Sequence, residues 1–380
     1  MEFIKKIGKS ENGSVTVYVL STLIVVLLVT TTIYIGLRNK TTTQIKQMDK
    51  INKEYSVTDT DMQEAYDKAI MGTLESVKGT ETTNTTVKDN LGNQVVVPAG
   101  FKVINPNDNV TNGVVVEDVT HEATKGSQFV WIPVGDVIKD SAGNKETITL
   151  SRYTFADDNV GTPTDKGSAE IENSFNSSYK HTEVNTSTNG NTTAKENIES
   201  EESGFRKSVK ENHGYYIGRY ESRKNGTQVT VKASDTVYNN ITQPDAATVS
   251  RGMYSSDSNF ESDLMNSYAW DTAIVFLQKF DNRTNKASLK PYSQQNSLNT
   301  GSLASQGTNN LEVSKQDVIC NVYDMASNCW EWTTETYSYS DCPCTSRGGY
   351  CYGSSYTSSR DINYTTFSDG DISFRTLLYM

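Results

Sequence analysis

Five cysteines and three histidines have the widest chemical reach in this chain, and their spacing narrows what they could do. Cys320, Cys329, Cys342, Cys344 and Cys351 all fall within the last 61 of 380 residues. A C-x8-C pair followed by C-x-C matches neither a zinc ribbon nor a redox C-x-x-C motif. The odd count also leaves at least one thiol outside any disulfide framework. His121, His181 and His213 have no partner at ligand spacing and read as isolated surface or core side chains. A net charge of −11 without any basic stripe excludes the phosphate neutralisation that nucleic-acid binding needs. Catalysis by metal or thiol is therefore poorly served, and recognition becomes the better expectation.

The residues that speak of recognition lie at 337–371. This stretch holds no Lys, Glu, Gln, Met or Trp, although those five types make up 71 of the 380 residues. Six Tyr, eight Ser, four Gly and four Asp stand there instead. Tyr offers large contact area for two side-chain torsions, and Ser, Gly and Asn offer adaptable hydrogen bonds, as in antibody loops. The expected ligand-binding side chains are Tyr337, Tyr339, Asp341, Tyr350, Tyr352, Tyr356, Asp361, Asn363, Tyr364 and Phe367. Strand alternation puts Tyr350 and Tyr352 on one face, so both should point outward or both inward.

A framework brackets that stretch: Asp324-Met-Ala-Ser-Asn-Cys-Trp-Glu-Trp332, Arg347-Gly-Gly349, Arg360 and Ser373-Phe-Arg375. Trp330 and Trp332 alternate around Glu331, so indole packs on one strand face while Glu331 turns elsewhere or meets a buried Arg. Gly348 and Gly349 allow backbone angles or close approach that a side chain forbids. Arg347, Arg360 and Arg375 present planar forks suited to carboxylates or carbonyls. A scaffolding role is the leading reading for all of them.

Strand signals are expected at 93–98, 113–117 and 128–134, with a hairpin around Ala142-Gly-Asn144 and further strands at 147–155 and 215–221. Residues 267–280 read as a helix with one apolar face, its Trp270 and Phe276 in the core. Residues 156–203 are polar, nearly free of aliphatics, and read as a surface insertion without a core of its own. At the other end, residues 15–37 form an uncharged run of 23 residues, about 34 Å as a helix, enough to span a bilayer. The chain divides accordingly into a tail (1–13), a transmembrane helix (14–38), a helical stalk (39–76), a linker (77–93) and a main domain (94–380). Lysines flank the span on both sides, so charge does not orient it. The Asn/Thr-rich body is expected outside the cell, making a single-pass membrane protein.

Taken in order, Phe129-Val-Trp-Ile-Pro-Val134, Tyr216-Ile-Gly-Arg-Tyr-Glu221, Tyr323 through Trp332, Arg347-Gly-Gly349, Arg360 and Ser373-Phe-Arg375 resemble the formylglycine-generating enzyme (sulfatase-modifying factor) family. The resemblance implies an α+β fold of C-type-lectin-like type, rich in irregular loops, over roughly residues 95–380. The family's oxidases use two cysteines after the Gly-Gly to hold copper, whereas only Cys351 follows Gly349 here. By the same resemblance, Asn328 and Glu331 would give oxygens to a structural calcium; no other cofactor is expected to be required. The composition at 337–371 also resembles the variable proteins of diversity-generating retroelements, which share this fold. Adenine mutagenesis of an AAC codon leaves the third base C, so Lys, Glu, Gln, Met and Trp never arise. Those are the five types missing here.

The resulting expectation is a membrane-anchored, surface-displayed binding protein for a protein or glycan ligand, not an enzyme. One alternative is an oxidase of the formylglycine-generating type. The other is a minor pilin-like subunit, suggested by Gly13-Ser14 before the apolar run, where Tyr18 replaces the Glu that pilins carry.

Overall fold

A computed structural model describes residues 71–154, 162–164, 181–182, 194–233, 237–280, 318–325, 328–337, 341–350 and 357–380. The apolar run at 14–38, the stalk up to residue 70, and Tyr339, Tyr352, Tyr356 and Cys351 lie outside the described residues. Among the described residues, no helix is long and apolar enough to cross a membrane.

Short β-branched and aromatic runs separated by Gly, Asn and Asp give many short strands. The first six are β1 (Gly72–Thr73), β2 (Thr85–Lys88), β3 (Gln94–Val97), β4 (Phe101–Val103), β5 (Val115–Asp118) and β6 (Gln128–Pro133). A hairpin of β7 (Gly135–Ile138) and β8 (Lys145–Ile148) follows, then β9 (Arg152–Thr154), β10 (Thr162–Thr164) and β11 (His181–Thr182). Next come α1 (Gly204–Asn212), β12 (Gly214–Gly218), β13 (Arg223–Asn225), β14 (Gln228–Thr230), α2 (Gln243–Gly252), β15 (Glu261–Leu264) and α3 (Ser267–Phe280). The C-terminal part contributes β16 (Val318–Ile319), β17 (Val322–Tyr323), β18 (Trp330–Tyr337), β19 (Cys344–Arg347), β20 (Arg360–Asn363), β21 (Ile372–Phe374) and β22 (Thr376–Tyr379). The class is α+β, mostly sheet, with long irregular connections.

Two sheets position the framework. The larger is antiparallel, in the order β15-β22-β12-β6-β5-β4. Every residue of β12 is buried, because both faces of the sheet are covered at its centre. The second sheet runs β11-β18-β19-β20, with β21 lying parallel to β18 through Trp330↔Ile372 and Trp332↔Phe374. β21 in the second sheet and β22 in the first are separated by Arg375 alone. Residues 372–379 thus join both sheets.

Three expectations change. α3 is not amphipathic: twelve of its fourteen residues are buried, since it packs against β6, β8, β9 and β18. The compact unit begins at Gly72, well before residue 94. Leu74, in the expected stalk, and Val87, in the expected linker, are core residues, and β2 of that linker pairs with β3. The polar insertion also ends earlier than residue 203. Ala194 and Ile198 are buried, the Glu196 carboxylate accepts from the Gly204 and Phe205 amides at 2.6 and 2.9 Å, and the Ser203 hydroxyl accepts from the Arg206 amide. An anion and a hydroxyl at the first turn of α1 are what its orphan amides require.

Candidate functional site

β18 is the spine of the site. Trp332 is fully buried, and its indole Nε1 donates to the Ile241 carbonyl at 2.9 Å. Trp330 is half-buried and stacks on Tyr350, ring centroids 6.3 Å apart and planes 23° from parallel. Glu331, between them, is buried and holds Arg375 through both oxygens, from Nη2 at 2.6 Å and Nε at 3.0 Å. The rest of the Arg375 fork donates to the carbonyls of Gly218 (2.7 Å) and Tyr323 (2.8 Å). This arginine therefore ties β21–β22 to β12 and β17.

Glu221 joins the same centre. It accepts from the Cys329 amide at 3.0 Å and from the Asn328 side-chain nitrogen. Burial, and then the charge of Glu331, push its carboxyl far above the usual range. Burial also raises Glu331, although Arg375 opposes the shift. Burial would pull Arg375 down, but Glu331, Glu221 and Asp324 hold it above its ordinary value. The calcium suggested for Asn328 and Glu331 does not fit this arrangement. Both Glu331 oxygens are taken by a guanidinium, and the Asn328 amide nitrogen faces Glu221, so the oxygen-rich shell calcium needs is not assembled around the pair.

A second buried centre lies further along β18. Glu335 accepts from Arg347 Nη1 at 2.9 Å, Arg360 Nε at 2.8 Å and Arg152 Nη2 at 2.8 Å. Asp271 of α3 accepts from Arg347 Nη2 at 2.5 Å and Arg360 Nη2 at 3.3 Å, while Glu199 accepts from Arg152 Nη1 at 3.1 Å. All three arginines, Glu335 and Asp271 are fully buried. Burial and then the Arg347 charge lower Arg360 to about 10, which leaves it cationic at neutral pH. The pairing of β18 with β19 passes from Trp332↔Ser346 to Thr336↔Cys344, four residues against two, and this bulge lies where Glu335 meets the arginines. Gly348 follows at φ 78°, where an added Cβ would lie 2.7 Å from the Met325 carbonyl oxygen. That is the close approach expected of the Arg-Gly-Gly motif.

The expected ligand-contacting residues spread from surface to core edge. Asp341 is exposed, and Tyr364 is 56% exposed. Tyr337, Tyr350, Asp361 and Asn363 are half-buried, and burial raises the Asp361 carboxyl. Phe367 packs its ring on the core edge while its amide donates to the Tyr364 carbonyl at 3.0 Å. Among the described cysteines, Cys342 and Cys344 are free thiols. Cys344 is buried, and burial, then Cys342, push its thiol up to about 12.

Arg152, Glu199, Glu221, Asp271 and Glu335 escaped the sequence reading. Glu335 had a signal: three framework arginines inside a core must meet carboxylates, and Glu335 sits four residues beyond Glu331 on one strand. Arg152 and Asp271 had none, since their partners lie at least 47 residues away in sequence.

No family model and no curated protein matches the chain. Among solved structures it is similar to that described as the crystal structure of CarF, at 16% identity, covering 44% of this chain and 87% of that one, with a TM-score of 0.32. It is also similar to PvdO from Pseudomonas aeruginosa, at 12% identity over 44% of this chain and 82% of that one, with a TM-score of 0.30.

Proposed function

We propose that this chain is a membrane-anchored binding protein displayed at the cell surface. In this reading a C-type-lectin-like scaffold of the formylglycine-generating type carries a diversified Tyr/Ser/Gly-rich face for a protein or glycan ligand. One observation carries it. Within 337–371 the residues of framework type, Arg347, Gly348, Gly349 and Arg360, are buried, while Asp341 and Tyr364 beside them stand exposed and Tyr337, Tyr350 and Asn363 reach the surface. Both kinds of side chain lie in one short stretch: the framework residues are all buried, with Cys344, Thr345, Ser346, Thr357, Ser358 and Ser359 packed beside them, and the aromatic and acidic side chains reach outward. A fold held by the first set tolerates exchange of the second, since substitutions away from buried networks cost little. The apolar run at 14–38 supplies the anchor. An oxidase would need two thiolates sharing a soft metal, and only one cysteine follows Gly349.

Sequencing the gene from many independent isolates tests the reading. Substitutions should concentrate at adenines in the codons for 337–371, with the codons for Trp332, Arg347, Arg360 and Arg375 unchanged. A reverse transcriptase gene beside a near-copy of the terminal coding segment should also be present. Variation spread evenly along the gene, with no such copy nearby, would end the proposal.

A further inference from the structure

His121 lies outside the terminal site, yet it is held more closely than an isolated histidine should be. Its Nδ1 is 2.9 Å from Asp118 Oδ1, and its Nε2 is 3.1 Å from Asp257 Oδ2, a residue 136 positions further along the chain. Asp118, at the end of β5, is fully buried and already accepts from the amides of Thr120 and His121, the Thr124 hydroxyl and the Tyr254 hydroxyl. So many donors fix it as a carboxylate, and its carboxyl is lowered despite burial. Asp257 accepts from the Asn259 amide and side chain on Oδ1, which leaves Oδ2 directed at the imidazole.

The ring cannot tilt away easily. Tyr254, Phe260 and Phe101 surround it, with centroids at 5.2, 5.8 and 5.9 Å. Gly100, at φ 76°, backs it so closely that a Cβ there would lie 3.1 Å from the His121 Cε1. The titratable groups facing the ring are Asp118 from β5, and Tyr254 and Asp257 from the connection between α2 and β15. β4 and its turn contribute uncharged Gly100 and Phe101.

We propose that Asp118, His121 and Asp257 form a pH-sensitive clasp: the imidazolium ties the 118–124 turn to the 255–259 tip of the loop, and loss of its proton releases that tip, while buried Tyr254 and Phe260 hold the loop's two ends. The reason is geometric. An imidazolium donates from both nitrogens, whereas a neutral ring donates from one. Asp118 retains the remaining proton on Nδ1, because it is the more buried acceptor and sits in the same turn. Nε2 then turns a lone pair toward the Asp257 carboxylate, so the Asp257 arm opens. The Asn84 side chain, donating to the Asn259 carbonyl at 2.6 Å, still ties the 257–259 stretch to the turn before β2.

The direction of the pH effect follows from linkage. Hydrogen bonding to Asp118, against the opposing effect of burial, raises the His121 pKa. Its contribution is fully present below the ordinary histidine value of about 6.5 and is lost as pH rises through the raised value. Asp118 and Asp257 are lowered, so their contributions are present above the ordinary aspartate range and fade only in stronger acid. The clasp is closed in mild acid and opens toward alkaline pH.

Two measurements on the full chain decide the matter. Of the three imidazole C–H signals in a proton NMR titration, one should have its midpoint above 6.5, and Asp257→Asn should move that midpoint down. Hydrogen exchange at residues 255–259, corrected for intrinsic rate, should lose protection as pH passes that midpoint, about tenfold for each unit the midpoint lies above the ordinary value. In His121→Gln the protection should be low and flat with pH. The clasp is overturned if no imidazole titrates above 6.5. It is equally overturned if wild-type protection at 255–259 is the same at pH 6 and pH 8.5. The NMR titration of the wild type needs no variant to fold.

Discussion

The two buried charge centres on β18 use the same ingredients in different proportion. Around Glu335, the cations Arg152, Arg347 and Arg360 meet the anions Glu335, Asp271 and Glu199, three against three. Around Arg375, a single guanidinium faces Glu331, Glu221 and Asp324. The first centre can stay fully ionised without leaving net charge in a low-dielectric interior. The second cannot, and burial together with the Glu331 charge pushes the Glu221 carboxyl far up, toward its protonated form. Balance thus separates a charge-compensated rivet from one in which carboxylates outnumber the cation, although both join distant segments to the same strand.

Glu335→Gln should show the largest effect. It keeps the shape but strands three buried guanidiniums on Asp271 and Glu199. Removing one partner of a buried ion pair costs about 3–5 kcal/mol, and the shared acceptor places this case near the upper end. Urea unfolding should give nearly the same loss at pH 5 and pH 8. A loss under about 1 kcal/mol would mean that the arginines repack or hydrate, and the balanced centre would not be the rivet described.

Glu221→Gln sharpens the contrast, because the same chemical change should have a small and pH-dependent effect. A raised folded-state value means that the native protein holds a proton which the unfolded chain releases. That contribution is present below the ordinary glutamate value and lost as pH rises toward the folded one. Gln mimics the protonated acid, and a rotated Asn328 amide can accept from the new side-chain nitrogen. Destabilisation of about 1 kcal/mol or less is expected at pH 5, from the imperfect mimic. At pH 8 the variant should match or exceed the wild type. If the variant is instead worse at pH 8 than at pH 5, Glu221 is ionised in the native state and the asymmetry between the centres disappears.

Much of this scaffold was legible in the sequence, for physical reasons. The strands at 93–98, 128–134 and 215–221 announce themselves through β-branched and aromatic runs. The pairing role of Arg347, Arg360 and Arg375 follows from their placement among glycines and tryptophans, where a lone guanidinium would be intolerable. Partners were harder to see. Arg152 and Asp271 reach Glu335 and Arg347 only after long loops close, and no local spacing encodes such contacts. α3 misled because burial of twelve of its fourteen residues erases the polar stripe from which a facing direction is read. His121 misled for the opposite reason: half of its clasp, the Asp118-x-x-His121 turn, was visible and the other half was 136 residues off.

The smallest expected effect separates scaffold from face. Tyr364 is the most exposed large hydrophobic side chain among the described residues, and among them no ring stacks on it. Tyr350, half-buried, lies over Trp330. Tyr364→Ser should therefore change unfolding free energy by no more than about 0.5 kcal/mol in either direction. Tyr350→Ser should lose about 0.5–1.5 kcal/mol of ring contact beyond the area it uncovers. Both changes keep to the residue types already present at 337–371, so they imitate the exchange that diversification would produce. If Tyr364→Ser costs more than Tyr350→Ser, the exposed tyrosine is anchoring the fold. The burial split between framework and face, on which the recognition reading rests, would then fail at its most favourable position.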